Sequence, residues 1–205
     1  MKMGKKITGT LVIPVITLIA AWIICSSQGV KLFETQLNLL TAFAGECEAR
    51  EKYTLFAAKA RQDGFKQIGT IFDETGDNEK EHAEVWWKVL TGGAGQTKDN
   101  LQNAIDGENH EWTKMYPQFA QEAKEEGFES IAALFEMVAE IEQAHEQRFQ
   151  TLLRQIENGE VFSRPHAQTW VCSECGYHHE ATDAPQSCPV CGNEQAYFQI
   201  AAKAN

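Results

Sequence analysis

Two pairs of side chains in this 205-residue chain could hold a metal: Glu79 with His82, and Glu142 with His145. A spacing of three puts both members of a pair on one face of a helix. The pairs lie 63 residues apart and share a lead-in, Gly64-Phe65-x-x-Ile68 before the first and Gly127-Phe128-x-x-Ile131 before the second. Their faces are otherwise apolar, so the carboxylates point toward a core, where an unpartnered charge is costly. Bound cations remove that cost. Two adjacent divalent ions need several hard oxygen donors, and imidazole beside carboxylate suits iron or manganese better than calcium.

The elements that must position these groups are long helices, and the chain reads as mainly α. Helical periodicity predicts a first helix over 32–63, with Leu39, Phe43, Glu46, Tyr53, Ala57 and Ala60 on one stripe. A second runs over 65–90, with Ile68, Phe72, Thr75, Glu79, His82, Trp86 and Val89 inward. A third covers 99–126 and carries Leu101, Ile105, Glu108, Glu111, Met115 and Phe119, with Pro117 expected to kink or interrupt it. The fourth spans 128–157 and turns Ile131, Phe135, Val138, Glu142, His145, Phe149 and Leu152 inward. Gly64, the glycine run at 92–95 and Asn158-Gly159 supply the stops. Four amphipathic helices with an internal repeat predict a four-helix bundle over 31–160.

The bundle collects seven candidate ligands: Glu46, Glu79, His82, Glu108, Glu111, Glu142 and His145. A lone Glu-x-x-His is common on helices and carries little. Two copies in register, with acids at matching depth on the other two helices, form the ligand set of a di-metal carboxylate bundle. Tyr53 and Tyr116 are either hydrogen-bond donors near the metals or core aromatics. Cys47, rotated about 100° from Glu46, is expected to pack on a neighbouring helix. Trp86, Trp87 and Trp112 read as core or interface residues.

From 161 to 205 the texture changes to short segments, turn formers and cysteine. Cys172, Cys175, Cys188 and Cys191 form C-x2-C-x12-C-x2-C, a tetrathiolate spacing rather than a disulfide framework. Four thiolates accept zinc or a single iron, and spacing does not separate the two. So small a module cannot hold itself together by apolar burial, so its metal is part of its fold. His178 and His179 are expected to face solvent.

The formal charge of −11 leaves no basic stripe to neutralise phosphates, which excludes nucleic acid as a partner. The first 27 residues hold three lysines and no acid, and residues 7–25 are uncharged. That run approaches the ~20 residues needed to cross a bilayer and exceeds the apolar part of a typical signal peptide. Residues 1–30 are therefore expected to be an apolar helix acting as a membrane anchor or a cleaved signal, with the folded part outside the cytoplasm. A buried helix in a cytoplasmic protein is the alternative.

Ala42-Phe43-Ala44-Gly45-Glu46, Asn78-Glu79-Lys80-Glu81-His82-Ala83, Met115-Tyr116-Pro117 and the cysteine knuckles closely resemble the rubrerythrins. That resemblance covers about 34–200 and implies a ferritin-like di-iron bundle followed by a rubredoxin-like domain. It implies Glu46, Glu79, Glu108, Glu111, Glu142 and His145 as iron ligands, with Glu79 and Glu142 bridging. It further implies that His82 replaces Glu111 on one iron upon reduction, and that Tyr53 and Tyr116 donate hydrogen bonds nearby. The implied activity is reduction of hydrogen peroxide to water, with electrons from an external donor returning through iron in the tetrathiolate site. A homodimer is implied as well. The apolar N-terminus departs from the family's usual pattern and bears on compartment and donor. Ferroxidase or iron-handling activity, and a non-enzymatic zinc-stabilised scaffold, are the competing readings.

Overall fold

The computed structural model describes residues 34–201, which fall into two compact units divided between Gln96 and Thr97. The apolar stretch 7–25 and its expected helix lie outside the described residues. Among the described residues no helix is long and apolar enough to cross a membrane.

The first unit is a helical hairpin of α1 (Glu34–Gln62) and α2 (Lys66–Thr91). Its turn is set by Gly64, whose φ of 90° is open to glycine at little cost. The Phe65 N–H donates to the Ala60 carbonyl at 2.8 Å and the Gly64 N–H to that of Arg61 at 3.1 Å, closing a Schellman motif. The second unit repeats the device at Gly127, φ 83°, with Phe128 N–H to Ala123 at 2.7 Å and Gly127 N–H to Lys124 at 3.0 Å.

Small residues let the paired helices approach. Ala57, Ala60, Gly69, Gly76 and Ala83 are buried in the first hairpin, and Ala120, Ala123 and Ala132 in the second. A Cβ on Gly69 would lie 2.9 Å from Arg61 Cγ and 3.1 Å from the Ala57 carbonyl oxygen. Beyond the small residues, Tyr53, Phe56 and Phe72 pack with ring centroids 5.6–6.3 Å apart, and Tyr116, Phe119 and Phe135 repeat the cluster. An ion pair clips each hairpin near its turn: Arg61 with Asp73, and Lys124 with Glu136.

The second hairpin differs in its first arm. It consists of α3 (Thr97–His110), a π-helical segment Glu111–Met115, and α4 (Tyr116–Glu125), all packed on α5 (Glu129–Glu157). The Tyr116 N–H donates to the Glu111 carbonyl, five residues back. The sequence puts the interruption at Pro117, whereas the structure seats Pro117 in the first turn of α4 and widens the turn before it. A proline there lacks the N–H for an α-helical bond, so the preceding turn is the one free to take an extra residue.

Two other expectations are corrected. Cys47 is exposed rather than packed. Ile68, Val89, Ile131 and Leu152, placed inward from periodicity, are 41–60% exposed. Two paired helices cover only a narrow stripe, and the small residues at their crossing take that stripe.

The cysteine module follows in the second unit as an antiparallel sheet of order β2-β1-β3, with β1 Ser163–Cys172, β2 His178–Asp183 and β3 Phe198–Ile200. Its core is Trp170, Cys172, Ala184, Cys188 and Phe198. The Trp170 indole N–H donates to the Ala181 carbonyl at 3.1 Å, which satisfies the one polar atom of that buried ring. His178 is exposed as expected, while His179 is half-buried against Tyr177.

Candidate metal centres

Each hairpin gathers one carboxylate from its first arm and a Glu-x-x-His pair from its second. In the first hairpin these are Glu46, Glu79 and His82, and in the second Glu108, Glu142 and His145; within each trio the ligand atoms lie within 4.8 Å of one another. His82 Nδ1 is 2.8 Å from Glu79 Oε2 and 3.9 Å from Glu46 Oε2. His145 Nδ1 is 2.6 Å from Glu142 Oε2 and 3.6 Å from Glu108 Oε2. The trios match because the Glu-x-x-His rows sit at equal distance from equal turns.

The electrostatics of the second trio test whether a cation fits. Burial raises the pKa of Glu108, a hydrogen bond and charge from Glu142 raise it further, and His145 partly opposes them. Burial likewise raises Glu111, with the Glu142 charge next and His110 and His145 opposing. Three acids therefore crowd one imidazole, and Glu108 and Glu111 hold on to protons that a divalent ion would displace. A mixed carboxylate and imidazole donor set of this kind fits iron or manganese.

Glu111 opens the π segment and acts on this cluster through its charge, but it is not one of the three groups in closest array. Tyr116 also faces the cluster: burial first, then Glu111, Glu142 and Glu108, raise its pKa, so its hydroxyl stays a donor. Tyr53 lies in the matching aromatic cluster of the first hairpin.

Several participants were not legible as such. The Trp86 indole donates to Glu46 Oε1 at 3.4 Å, where sequence suggested core or interface packing. Glu146, next to His145, is buried and accepts from Asn109, Trp112 and Gln150. The signal available in sequence was its spacing of four from Glu142, which puts it on the ligand stripe.

The four cysteine sulfurs form a third set, again within 4.8 Å of one another. Cys172 Sγ is 3.7 Å from Cys191 Sγ, and Cys175 Sγ is 3.5 Å from Cys188 Sγ. A metal–sulfur bond of about 2.3 Å gives a tetrahedron with an edge of about 3.8 Å, so the thiols stand where a metal would hold them. These separations also exclude disulfides. The Gly176 N–H donates to the Cys172 carbonyl and the Gly192 N–H to that of Cys188, each at 2.9 Å, so the two knuckles are matched turns. The Tyr177 amide lowers the Cys175 pKa, but burial and the other three thiols push it up to about 12. Cys188 goes the other way: burial opposes, yet the amides of Cys191 and Val190 and the neighbouring thiols lower it. Four thiolates in so small a space require a cation.

Comparison with known proteins gives the following. A family model described as Rubrerythrin matches residues 38–153, and one described as Rubrerythrin, rubredoxin-like domain matches residues 170–199. Rubrerythrin of Porphyromonas gingivalis is 43% identical over 185 residues, covering 84% of this chain and 92% of that protein. Rubrerythrin of Nitratidesulfovibrio vulgaris is 45% identical over 185 residues, covering 84% and 97%. Rubrerythrin-1 of Clostridium acetobutylicum is 41% identical over 189 residues, again covering 84% and 97%.

Proposed function

This chain belongs to the rubrerythrin family, and on that premise we propose that it reduces hydrogen peroxide to water at a di-iron carboxylate site. The observation that carries the reading is the pairing of two carboxylate–histidine trios with a tetrathiolate set in one chain. A storage shell needs no electron relay. We assign Glu46, Glu79, His82, Glu108, Glu111, Glu142 and His145 as the ligands of the iron pair.

Iron at these positions would supply the electrons and polarise the oxidant, with the tetrathiolate iron returning electrons from an external donor. The rest falls to the chain's own groups. Converting one peroxide to two waters takes two electrons and two protons. Tyr116 keeps its proton at the hydroxyl beside Glu111, Glu142 and Glu108 and can donate it as a hydrogen bond. Glu108 and Glu111 hold protons more strongly than ordinary carboxyls only while the site is metal-free, and give them up when a cation binds, which leaves the Tyr116 hydroxyl as the donor. We assign Tyr53 the matching donor role in the first hairpin. Glu111 and His82 are assigned alternate ligation on one iron.

The test uses anaerobically reduced, iron-loaded protein mixed with each oxidant. Peroxide should reoxidise it much faster than dioxygen does. Faster reaction with dioxygen, together with iron accumulating beyond the three sites, would establish iron storage instead. A homodimer is expected from sedimentation. Residues 7–25 would anchor or export the chain, which fractionation of cells with an antibody to the bundle checks.

A further inference from the structure

The internal repeat slips by one residue at one place. Tyr53 and Tyr116, Gly64 and Gly127, Glu79 and Glu142, and His82 and His145 are all 63 apart, but Glu46 and Glu108 are 62 apart. The second hairpin thus has one more residue between its first-arm acid and its tyrosine. The π segment Glu111–Met115 lies in that interval, and a π turn is how a helix absorbs one extra residue. The first arm of the first hairpin is an uninterrupted α-helix through the same stretch.

A second asymmetry faces the first. The position of the first hairpin that matches Glu146 is Ala83, and both are 7% exposed. Glu146 is the buried charged side chain among the described residues, and no cation pairs with it there. Four N–H contacts satisfy it instead: Asn109 Nδ2 to both carboxylate oxygens at 3.2 Å, Trp112 Nε1 to Oε2, and Gln150 Nε2 to Oε1 at 2.8 Å. Gln150 is on the same helix. Asn109 and Trp112 flank Glu111 on either side, one in the last turn of α3 and one inside the π segment. A carboxylate is placed in the core with neutral donors as its partners, and two of those donors bracket the inserted residue.

We propose that Glu146 is a positioning residue: it clamps the π bulge to α5 through Asn109 and Trp112, and so holds Glu111 beside the Glu108–Glu142–His145 trio. The clamp gives the second hairpin a second first-arm carboxylate that the first hairpin lacks, and it makes the two metal positions unequal. The proposal rests on the di-metal reading above for its consequence, though not for the clamp itself.

The experiment uses the full chain with Glu146→Ala, Glu146→Gln and Trp112→Phe. In metal-free protein, Glu146→Ala should speed amide exchange across 110–116 by about tenfold or more, with exchange in α1 and α2 unchanged. On anaerobic titration with Mn(II), one of two bundle sites should weaken by about 10–100-fold while the other keeps its affinity. Glu146→Gln retains an acceptor oxygen for Trp112 and should recover most of both effects; Trp112→Phe should reproduce part of them and serves if Glu146→Ala does not fold. Wild-type exchange across 110–116 in Glu146→Ala overturns the proposal. So does equal acceleration in both hairpins, or equal weakening of both metals, since Glu146 would then only hold the fold. A wild-type chain that binds no metal pair would sink the di-metal reading separately, and the exchange data would still judge the clamp.

Discussion

The first hairpin crosses its helices on Gly69, Gly76 and Ala83, whereas the second has Ala132, Ala139 and Glu146 at the matching positions. Turn, aromatic cluster, ion-pair clip and Glu-x-x-His row otherwise coincide. The symmetric parts build the frame. Two departures from the repeat, a π bulge and a buried carboxylate, lie beside the candidate metal ligands. The difference teaches that a repeated scaffold can gain an extra carboxylate through a local asymmetry beside the candidate ligands.

Removing a carboxylate from either trio should cost alike. Glu79→Ala and Glu142→Ala are each expected to lower peroxide turnover at least about a hundredfold, with loss of bundle iron measured by metal analysis. A variant that lost its own hairpin's metal and kept the other's would split the site in two. Against the helices the cysteine module offers a sharper contrast. Cys188→Ser should remove the tetrathiolate metal and unfold 161–201, read as lost sheet signal by amide exchange, while both hairpins persist.

Glu111→Ala should leave bundle iron bound, less tightly at one position, and slow turnover by about tenfold, because the second hairpin's extra carboxylate is the one the first lacks. Unchanged turnover would end the ligand-exchange assignment. Smaller effects probe the frame. Gly69→Ala is expected to destabilise by about 1 kcal/mol, as its methyl would meet the Ala57 carbonyl at 3.1 Å and force Arg61 aside. The twin position already holds Ala132, so Ala132→Gly should also cost about 1 kcal/mol, through helix propensity. Thermal unfolding of each variant measures both.

The smallest expected effect is on pH. Glu108 and Glu111 have raised pKa values in the folded state, so their contribution to stability is complete at low pH and is lost as pH rises through those values. Metal-free protein should show faster corrected amide exchange over 108–116 at about pH 7 than at about pH 5. Iron loading should abolish the difference, because a cation replaces the protons. A slope of the opposite sign would show that the acids are not crowded.

The clustering of the Glu-x-x-His rows was legible because their spacing is local: residues three apart on a helix share a face whatever the helix packs against. The cysteine knuckles were legible for the same reason, since two residues between cysteines are enough to shape a turn. Trp112 and Glu146 were not, because neither is meaningful without the other and they are 34 residues apart. Pro117 pointed to a disturbance in the third helix but misplaced it by several residues, since proline constrains the turn before itself. Ile68 and Val89 were misread because periodicity finds an apolar face without showing how wide a stripe the partner helix covers.

By itself, the sequence determined which groups could bind metal, which helix faces present them, and where the chain turns, all of which follow from helical geometry and short-range turn chemistry. Tertiary structure alone decided where the extra residue of the second hairpin is absorbed, and which neutral donors surround the buried Glu146. Those outcomes depend on which atoms of one helix lie against another, and contacts between distant residues leave no fixed spacing to read.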